Sequence, residues 1–273
     1  MKTVVITGTS SGIGKATAIK FANEGYNVVA TMRSPEKETE LTKHENIKLL
    51  KLDVSKEDSI KQAVEEIKNQ YSSIDILVNN AGYALTGPLE LSSDAQIRAE
   101  FDVNVFGLIN CIREFLPSLR ESKGTIINIS SMGGKICFPL LSTYHSTKFA
   151  VEGLSEGLVT ELKQFGVKVK IVEPGNIATN FGTTSMNFAQ GLTNPDNVYA
   201  DMMASMQKAV SAVDTSSFYS TPDMVADVIF GASTDGTETI RYIAGDDAKQ
   251  FIGMKEKMGD EAYLGALATN FGF

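Results

Sequence analysis

Apolar positions along this chain alternate between two periods, and the alternation itself predicts the fold. Residues 2–7 form a short apolar run, residues 15–23 repeat at helical spacing, and residues 26–32 are again a continuous apolar run. The same pairing recurs: strand patterns at 47–53, 74–78, 124–131, 167–173 and 239–244, helical patterns at 56–71, 94–119, 144–165 and 222–232. Strands that alternate with helices imply an α/β fold, a doubly wound parallel sheet of about seven strands with helices on both faces. Ligands of such a sheet bind at the carboxyl ends of its strands. The pattern predicts a single nucleotide-binding domain over 1–273. Residues 180–220, rich in Asn, Thr, Ser, Gly and Met with a helical piece at 199–213, interrupt the rhythm. An insertion above a strand-end crevice is expected to be a substrate lid. From Asp246 the tail carries a charged helical stretch and ends in apolar Leu264, Leu267 and Phe271.

Composition narrows the function classes. An apolar content of 42% is ample for a core, and no apolar run approaches the ~18 residues a membrane helix needs. A formal net charge of −8 argues against nucleic acid or an anionic membrane as partner. Two cysteines, two histidines and no Cys/His cluster predict neither a disulfide framework nor a metal site. The start reads as a strand rather than a signal peptide, so the cytoplasm is the expected location.

Three loops carry candidate chemistry. Gly8, Gly12 and Gly14 join the first strand to the first helix. Glycines there allow either a plain tight turn or the approach of a phosphate to the helix amino end, and the strand–loop–helix setting favours the phosphate. The second strand closes on Met32-Arg33-Ser34 without the acidic residue that usually takes free ribose hydroxyls. Arg33 is either a solvated surface cation or a partner for a 2′-phosphate. Asn79-Asn80-Ala81-Gly82 follows the fourth strand, and Asn104 lies within the apolar 94–119 helix, where it needs a partner. Ser55 is placed to cap the helix from residue 56.

Tyr144 and Lys148 are four apart at a helix start, so they share one face. A neighbouring ammonium is expected to lower the phenol pKa, making Tyr144 a proton donor and acceptor. The strand 124–131 ends in Ser130-Ser131, at the cleft end of the sheet.

Thr7-Gly8-x-x-x-Gly12-x-Gly14, Asn79-Asn80-Ala81-Gly82, Asn104, Ser131, Tyr144-x-x-x-Lys148 and Pro174-Gly175 occur in one order, with Ser131 13 residues before Tyr144. In these motifs the chain resembles the short-chain dehydrogenase/reductase family over nearly its whole length. The resemblance implies Tyr144 as proton donor and acceptor, Lys148 as its modulator, Ser131 orienting the substrate carbonyl and Asn104 holding a water. It implies a nicotinamide dinucleotide against Gly8, Ser10, Ser11, Gly12, Ile13, Gly14, Arg33, Asp53, Val54, Asn80, Ala81, Gly82, Tyr144, Lys148, Pro174, Gly175, Ile177 and Thr179. Asp53 would meet the adenine, Asn80 the ribose region, and Ile177 with Thr179 the carboxamide. Arg33 with Ser11 resembles NADP-preferring members such as carbonyl reductases and hydroxysteroid dehydrogenases, although Ser11 stands where many of these carry Arg or Lys. The resulting expectation is an NADP(H)-dependent reductase of a ketone or aldehyde. The alternatives are an NAD-dependent alcohol dehydrogenase or a non-catalytic nucleotide sensor. Met186, Phe188, Met202, Met203 and Met206 suggest an apolar substrate. The resemblance further implies a homodimer or homotetramer formed through the helices at 94–119 and from Tyr144.

Overall fold

All five residues of β1 (Thr3–Thr7) are buried, as a strand covered on both faces requires. In the computed structural model, which describes residues 1–177, 186–194, 196–212 and 220–271, this strand lies inside a seven-stranded sheet. Its other members are β2 (Asn27–Met32), β3 (Ile47–Lys51), β4 (Ile76–Asn79), β6 (Thr125–Ile129), β7 (Lys168–Pro174) and β9 (Arg241–Ala244). The order is β3-β2-β1-β4-β6-β7-β9 and every pairing is parallel. Strand order reverses between β1 and β4, so the loops after these strands diverge and leave a crevice at their carboxyl ends.

Two helical layers cover the sheet. On one face, α2 (Glu57–Gln70), α4 (Leu108–Ser122) and α5 (Ser142–Leu162) bury Ile60, Ile67, Phe115, Leu119, Val151 and Leu162. On the other, α1 (Gly12–Asn23) and α7 (Pro222–Thr234) bury Ala18, Phe21, Val225 and Ile229. A smaller cluster packs α8 (Asp246–Met258) and α9 (Asp260–Phe271) against Met132 and Ile136. The tail is therefore two helices, parted at Gly259, whose φ of 78° suits glycine.

The expected continuous helix over 94–119 is instead three pieces. α3 (Asp94–Phe101) opens on a Ser93/Gln96 capping box, Asp102–Gly107 forms a π-helical turn, and α4 runs on to Ser122. Periodicity does not register the wider turn, because apolar residues continue through it. Ser55 does not cap α2 either. Its N–H and hydroxyl both donate to Asp53 Oδ1, at 3.0 and 2.7 Å, and Lys56 takes the N-cap position.

A pairing that short segments conceal from sequence reading joins β5 (Ala84–Thr86) to β8 (Met186–Phe188). Gln96 of α3 clamps this ribbon: its Nδ-equivalent amide, Nε2, donates to Phe188 O at 2.8 Å and its Oε1 accepts from Gln190 N–H at 3.0 Å. α6 (Ala200–Ala212) follows, with Tyr199 Oη donating to Glu90 at 2.9 Å. The remainder of the expected 180–220 lid, residues 180–185, 195 and 213–219, lies outside the described residues.

Polar groups fix α5 to the sheet. Asn79 Nδ2 donates to Asn128 Oδ1, and Asn128 Nδ2 to Ser155 Oγ, both at 2.9 Å and all buried. Lower down, Arg241 of β9 reaches Glu152 at 3.0 Å, Glu156 at 2.6 Å and Glu173 at 3.3 Å. Burial, aided by the neighbouring Glu152 carboxylate, pushes Glu173 from 4.5 up to about 7. Its raised value means that the folded chain holds this proton more tightly than the unfolded one, so stability falls as pH rises from about 4.5 to about 7. Glu173→Gln is expected to remove that loss, gaining on the wild type by on the order of 1–3 kcal/mol between pH 4.5 and 8. Urea unfolding of both proteins across this range measures it, and a constant difference between them refutes the assignment.

Candidate active site

The carboxyl ends of β1 and β4 meet across the crevice, and side chains of each strand's loop hold the other. Thr7 Oγ1 accepts the N–H groups of Asn80 and Ala81, both at 3.0 Å. Asn80 Nδ2 donates to Thr7 O at 2.9 Å and Gly8 O at 3.0 Å. Gly8 (φ 72°) and Gly12 (φ 56°) occupy the left-handed region. A side chain on Gly8 would meet Ala81 Cα at 2.8 Å, and one on Gly14 would run into Gly8 O and Asn80 Nδ2. The loop thus delivers the amino end of α1 to the crevice. Ser11 at its N-cap makes no side-chain capping bond, and the first turn carries no acidic residue. First-turn N–H groups facing a crevice suit a phosphate.

From there a cleft of about 1420 Å³ runs along the strand ends. Gly8, Ser10, Ser11, Gly12, Ile13, Gly14, Arg33, Asp53, Val54, Asn80, Ala81 and Gly82 line one part of it. Ser131, Tyr144, Lys148, Pro174, Gly175 and Ile177 line the other. Arg33 is exposed, and among the described residues no carboxylate forms an ion pair with it. Asp53 keeps an oxygen on Ser55. Thr179 lies outside the described residues. Of the described catalytic and cofactor candidates Asn104 alone does not line the cleft, and of the residues read as an apolar substrate surface Met186 lines it while Phe188, Met202, Met203 and Met206 do not.

Behind Gly175 stands Asp247, 1% exposed, whose Oδ2 accepts Asn176 N–H at 2.6 Å. It fixes the loop after β7 and fills the space that a side chain on Gly175 would need. These features fit a dinucleotide: a glycine cradle at a helix amino end, a guanidinium at the end of β2, and a rigid loop after β7.

Tyr144 and Lys148 emerge from the first turns of α5. Lys148, 6% exposed, donates from Nζ to Ile129 O at 2.9 Å and lies 5.7 Å from the Tyr144 ring centre. Ser131, half-buried after β6, accepts Gly133 N–H at 3.0 Å and lines the same cleft as Tyr144. Burial pushes Tyr144 up to about 12, with Ser131 pulling back and Glu100 adding to the rise. The shift runs opposite to the lowering expected from Lys148, and burial lowers Lys148 itself to about 8. Tyr144 is therefore held as a phenol, with the Lys148 ammonium beside its ring.

Asn104 sits in the π-helical turn, a feature frequent at functional sites. Its Nδ2 donates to Tyr83 O at 2.8 Å and Thr147 Oγ1 at 3.0 Å, and its Oδ1 accepts Tyr83 N–H at 3.0 Å. Gly82 leaves room beside it, since a side chain there would approach Asn104 Oδ1 to 3.1 Å and Lys148 Nζ to 3.8 Å. These bonds hold the loop after β4 against α5.

The far end of the cleft is apolar, with Met132, Phe138, Leu141 and Met186. His145 lines it too, and burial lowers its pKa to about 4, leaving it neutral near pH 7. Its Nδ1 accepts Phe138 N–H at 3.2 Å, which assigns the ring proton to Nε2. Leu140 adopts φ 64° while its carbonyl accepts Gly87 N–H at 2.7 Å, a strained conformation beside the cleft. Sequence reasoning missed Asp247 and Glu100, and named Thr7 only as the start of the glycine motif, without its hydrogen bonds to the loop after β4. Glu100 alone left a signal, a charged residue four before Asn104 on a buried helical face.

A family model described as short chain dehydrogenase matches residues 2–189. The 3-ketodihydrosphingosine reductase of Bacteroides thetaiotaomicron is 39% identical over 199 residues, covering 72% of this chain and 71% of that protein. A solved short-chain dehydrogenase from Streptomyces avermitilis, 32% identical, superposes with a TM-score of 0.83 over 100% of this chain and 97% of its own. The closed form of a serine dehydrogenase complexed with NADP+ is 29% identical, with a TM-score of 0.74 over 88% of this chain and 94% of its own.

Gly14→Ala forces a methyl group into Gly8 O and Asn80. Overpacking of this kind costs about 1–3 kcal/mol. The variant is expected to lose that much stability in urea unfolding and to lose nucleotide binding in calorimetry; unchanged binding would show that the loop is not the cradle.

Proposed function

The chain belongs to the short-chain dehydrogenase family, and from that premise we propose that it is an NADP(H)-dependent oxidoreductase that reduces an apolar ketone or aldehyde. The observation that carries this reading is Tyr144, a buried phenol beside Lys148, sharing with Ser131 a cleft that continues to the glycine loop. A nicotinamide dinucleotide held by the glycine loop, Arg33 and the loop after β7 would supply the hydride. Tyr144 gives its proton to the carbonyl oxygen, and Ser131 donates a hydrogen bond as that oxygen gains charge. Lys148 places a cation beside the phenol. The apolar far end excludes water and takes the hydrophobic part of the substrate.

The relatives support both halves of the reading. A structural neighbour is complexed with NADP+, and a relative is named a 3-ketodihydrosphingosine reductase. Arg33, free of carboxylate partners among the described residues, is the guanidinium for the 2′-phosphate, with Ser34 next to it in sequence and Ser11 on the same cleft. Exposed Phe106 and Phe149, on the π-helical turn and α5, favour pairing of copies through this face.

Steady-state NADPH oxidation with a panel of long-chain ketones, ketosteroids and aldehydes tests the reading. Tyr144→Phe is expected to lose 10²- to 10⁴-fold in turnover, roughly the contribution of a positioned acid, with NADPH affinity almost intact. Retention of most activity would exclude Tyr144 as donor.

Cofactor choice is read separately. Hydrogen bonds to charged groups are worth about 1.5–3 kcal/mol, so NADPH is expected to bind roughly ten- to a hundred-fold more tightly than NADH. Arg33→Ala should erase that difference by weakening NADPH alone. Equal losses for both cofactors, measured by calorimetry, would instead favour an NAD-dependent alcohol dehydrogenase.

A further inference from the structure

The His145 ring is 3% exposed, and its two nitrogens have different surroundings. It follows Tyr144 in the first turn of α5, with the two ring centres 5.8 Å apart. Nδ1 accepts Phe138 N–H at 3.2 Å, so the neutral ring carries its proton on Nε2. Among the described residues Nε2 has no hydrogen-bond partner, and it is not one of the enclosed polar atoms, so this N–H opens on the cleft that the ring lines. Burial lowers the His145 pKa to about 4, which keeps the ring neutral near pH 7 and leaves it one free donor.

The Ser131 hydroxyl is close to that donor. A Cβ built on Gly133 would lie 3.0 Å from His145 Nε2 and 3.4 Å from Ser131 Oγ. The N–H and the hydroxyl therefore flank one position beside Gly133, and both residues line the cleft with Tyr144. Met132, Phe138, Leu141 and Met186 give that end of the cleft its apolar surface. A substrate whose hydrophobic part fills it strips water from Nε2 and leaves the N–H bare unless it also brings an acceptor. A donor left unpaired costs more than a made bond gains, which is how a polar group in an apolar pocket selects among substrates.

We propose that the His145 Nε2–H is a specificity-determining donor for a second oxygen of the substrate, carried close to the reacting carbonyl as in a β-keto ester. Ser131 takes the carbonyl oxygen that Tyr144 protonates, and His145 takes the other oxygen. The pair thereby fixes which carbonyl is reduced and disfavours ketones that lack the second oxygen. This role rests on the reductase reading above.

Two substitutions separate the donor from the support that the ring gives Phe138. His145→Asn keeps an acceptor where Nδ1 stands, through Oδ1, and places no atom at Nε2. His145→Gln keeps an amide N–H where Nε2 stands and gives up the bond to Phe138. Steady-state reduction of the methyl ester of a medium-chain β-keto acid is compared with that of a plain ketone of equal length. The ratio of the two kcat/KM values is expected to fall about tenfold in His145→Asn and to be largely kept in His145→Gln. A ratio that His145→Asn leaves unmoved, or that falls equally in both variants, overturns the proposal. Should the variants fail to fold, ¹⁵N-histidine labelling of the wild type decides, since the chain has two histidines and His44→Gln identifies the other signal. A His145 Nε2 signal that moves when the keto ester is added with NADP+, but not when the plain ketone is, supports the contact. Equal movement with both, or none, overturns it. Absence of any carbonyl reduction by the wild type would sink the reductase reading, and the ¹⁵N signal would still decide the contact.

Discussion

An ammonium group stripped of water needs a partner from the protein, and Lys148 finds one in Ile129 O at the end of β6. That bond ties the first turns of α5 to the sheet, with Tyr144 one turn before Lys148 on the same helix. The buried Asn79–Asn128–Ser155 chain and the Arg241 ion cluster hold the same helix further along its length. Stability and chemistry are coupled here: the desolvation that makes Lys148 expensive also keeps the Tyr144 proton in place.

The second constraint is backbone proximity. Where strand order reverses, the loops after β1 and β4 must interlock without side chains between them. Gly8 and Gly14 supply the space, and Thr7 and Asn80 supply the bonds. The glycine loop and Tyr144 open on one cleft, the loop at the carboxyl end of β1 and Tyr144 in the first turn of α5.

Much of this was legible in the residues. Continuous apolar runs such as 3–7 and 125–129 mark strands buried on both faces, and they settle the order of elements. Tyr144, Lys148, Ser131 and the glycine loop lie where their motifs imply, because each is local: one helix turn, one strand end, one tight loop. What escaped is non-local or electrostatic. The π-helical turn at Asp102–Gly107 carries the same residue types as the helix around it. β5 and β8 are three residues each and far apart in the chain, too short to leave a periodic trace. The direction of the Tyr144 shift depends on how deeply the pair is buried, and i, i+4 spacing carries no information on depth. Glu100 and Asp247 are ordinary acidic residues until the fold encloses them.

The central claim is that a hydride crosses this cleft to a carbonyl carbon while Tyr144 supplies the proton. Its most direct test is isotopic. Wild-type protein is incubated with a long-chain ketone and NADPH deuterated at nicotinamide C4, each of the two C4 positions in a separate run, and the alcohol is analysed by mass spectrometry. Deuterium at the carbinol carbon from one of the two positions, and from that one alone, is the expected result. A cofactor that binds but leaves no deuterium in any product would contradict hydride transfer at this site.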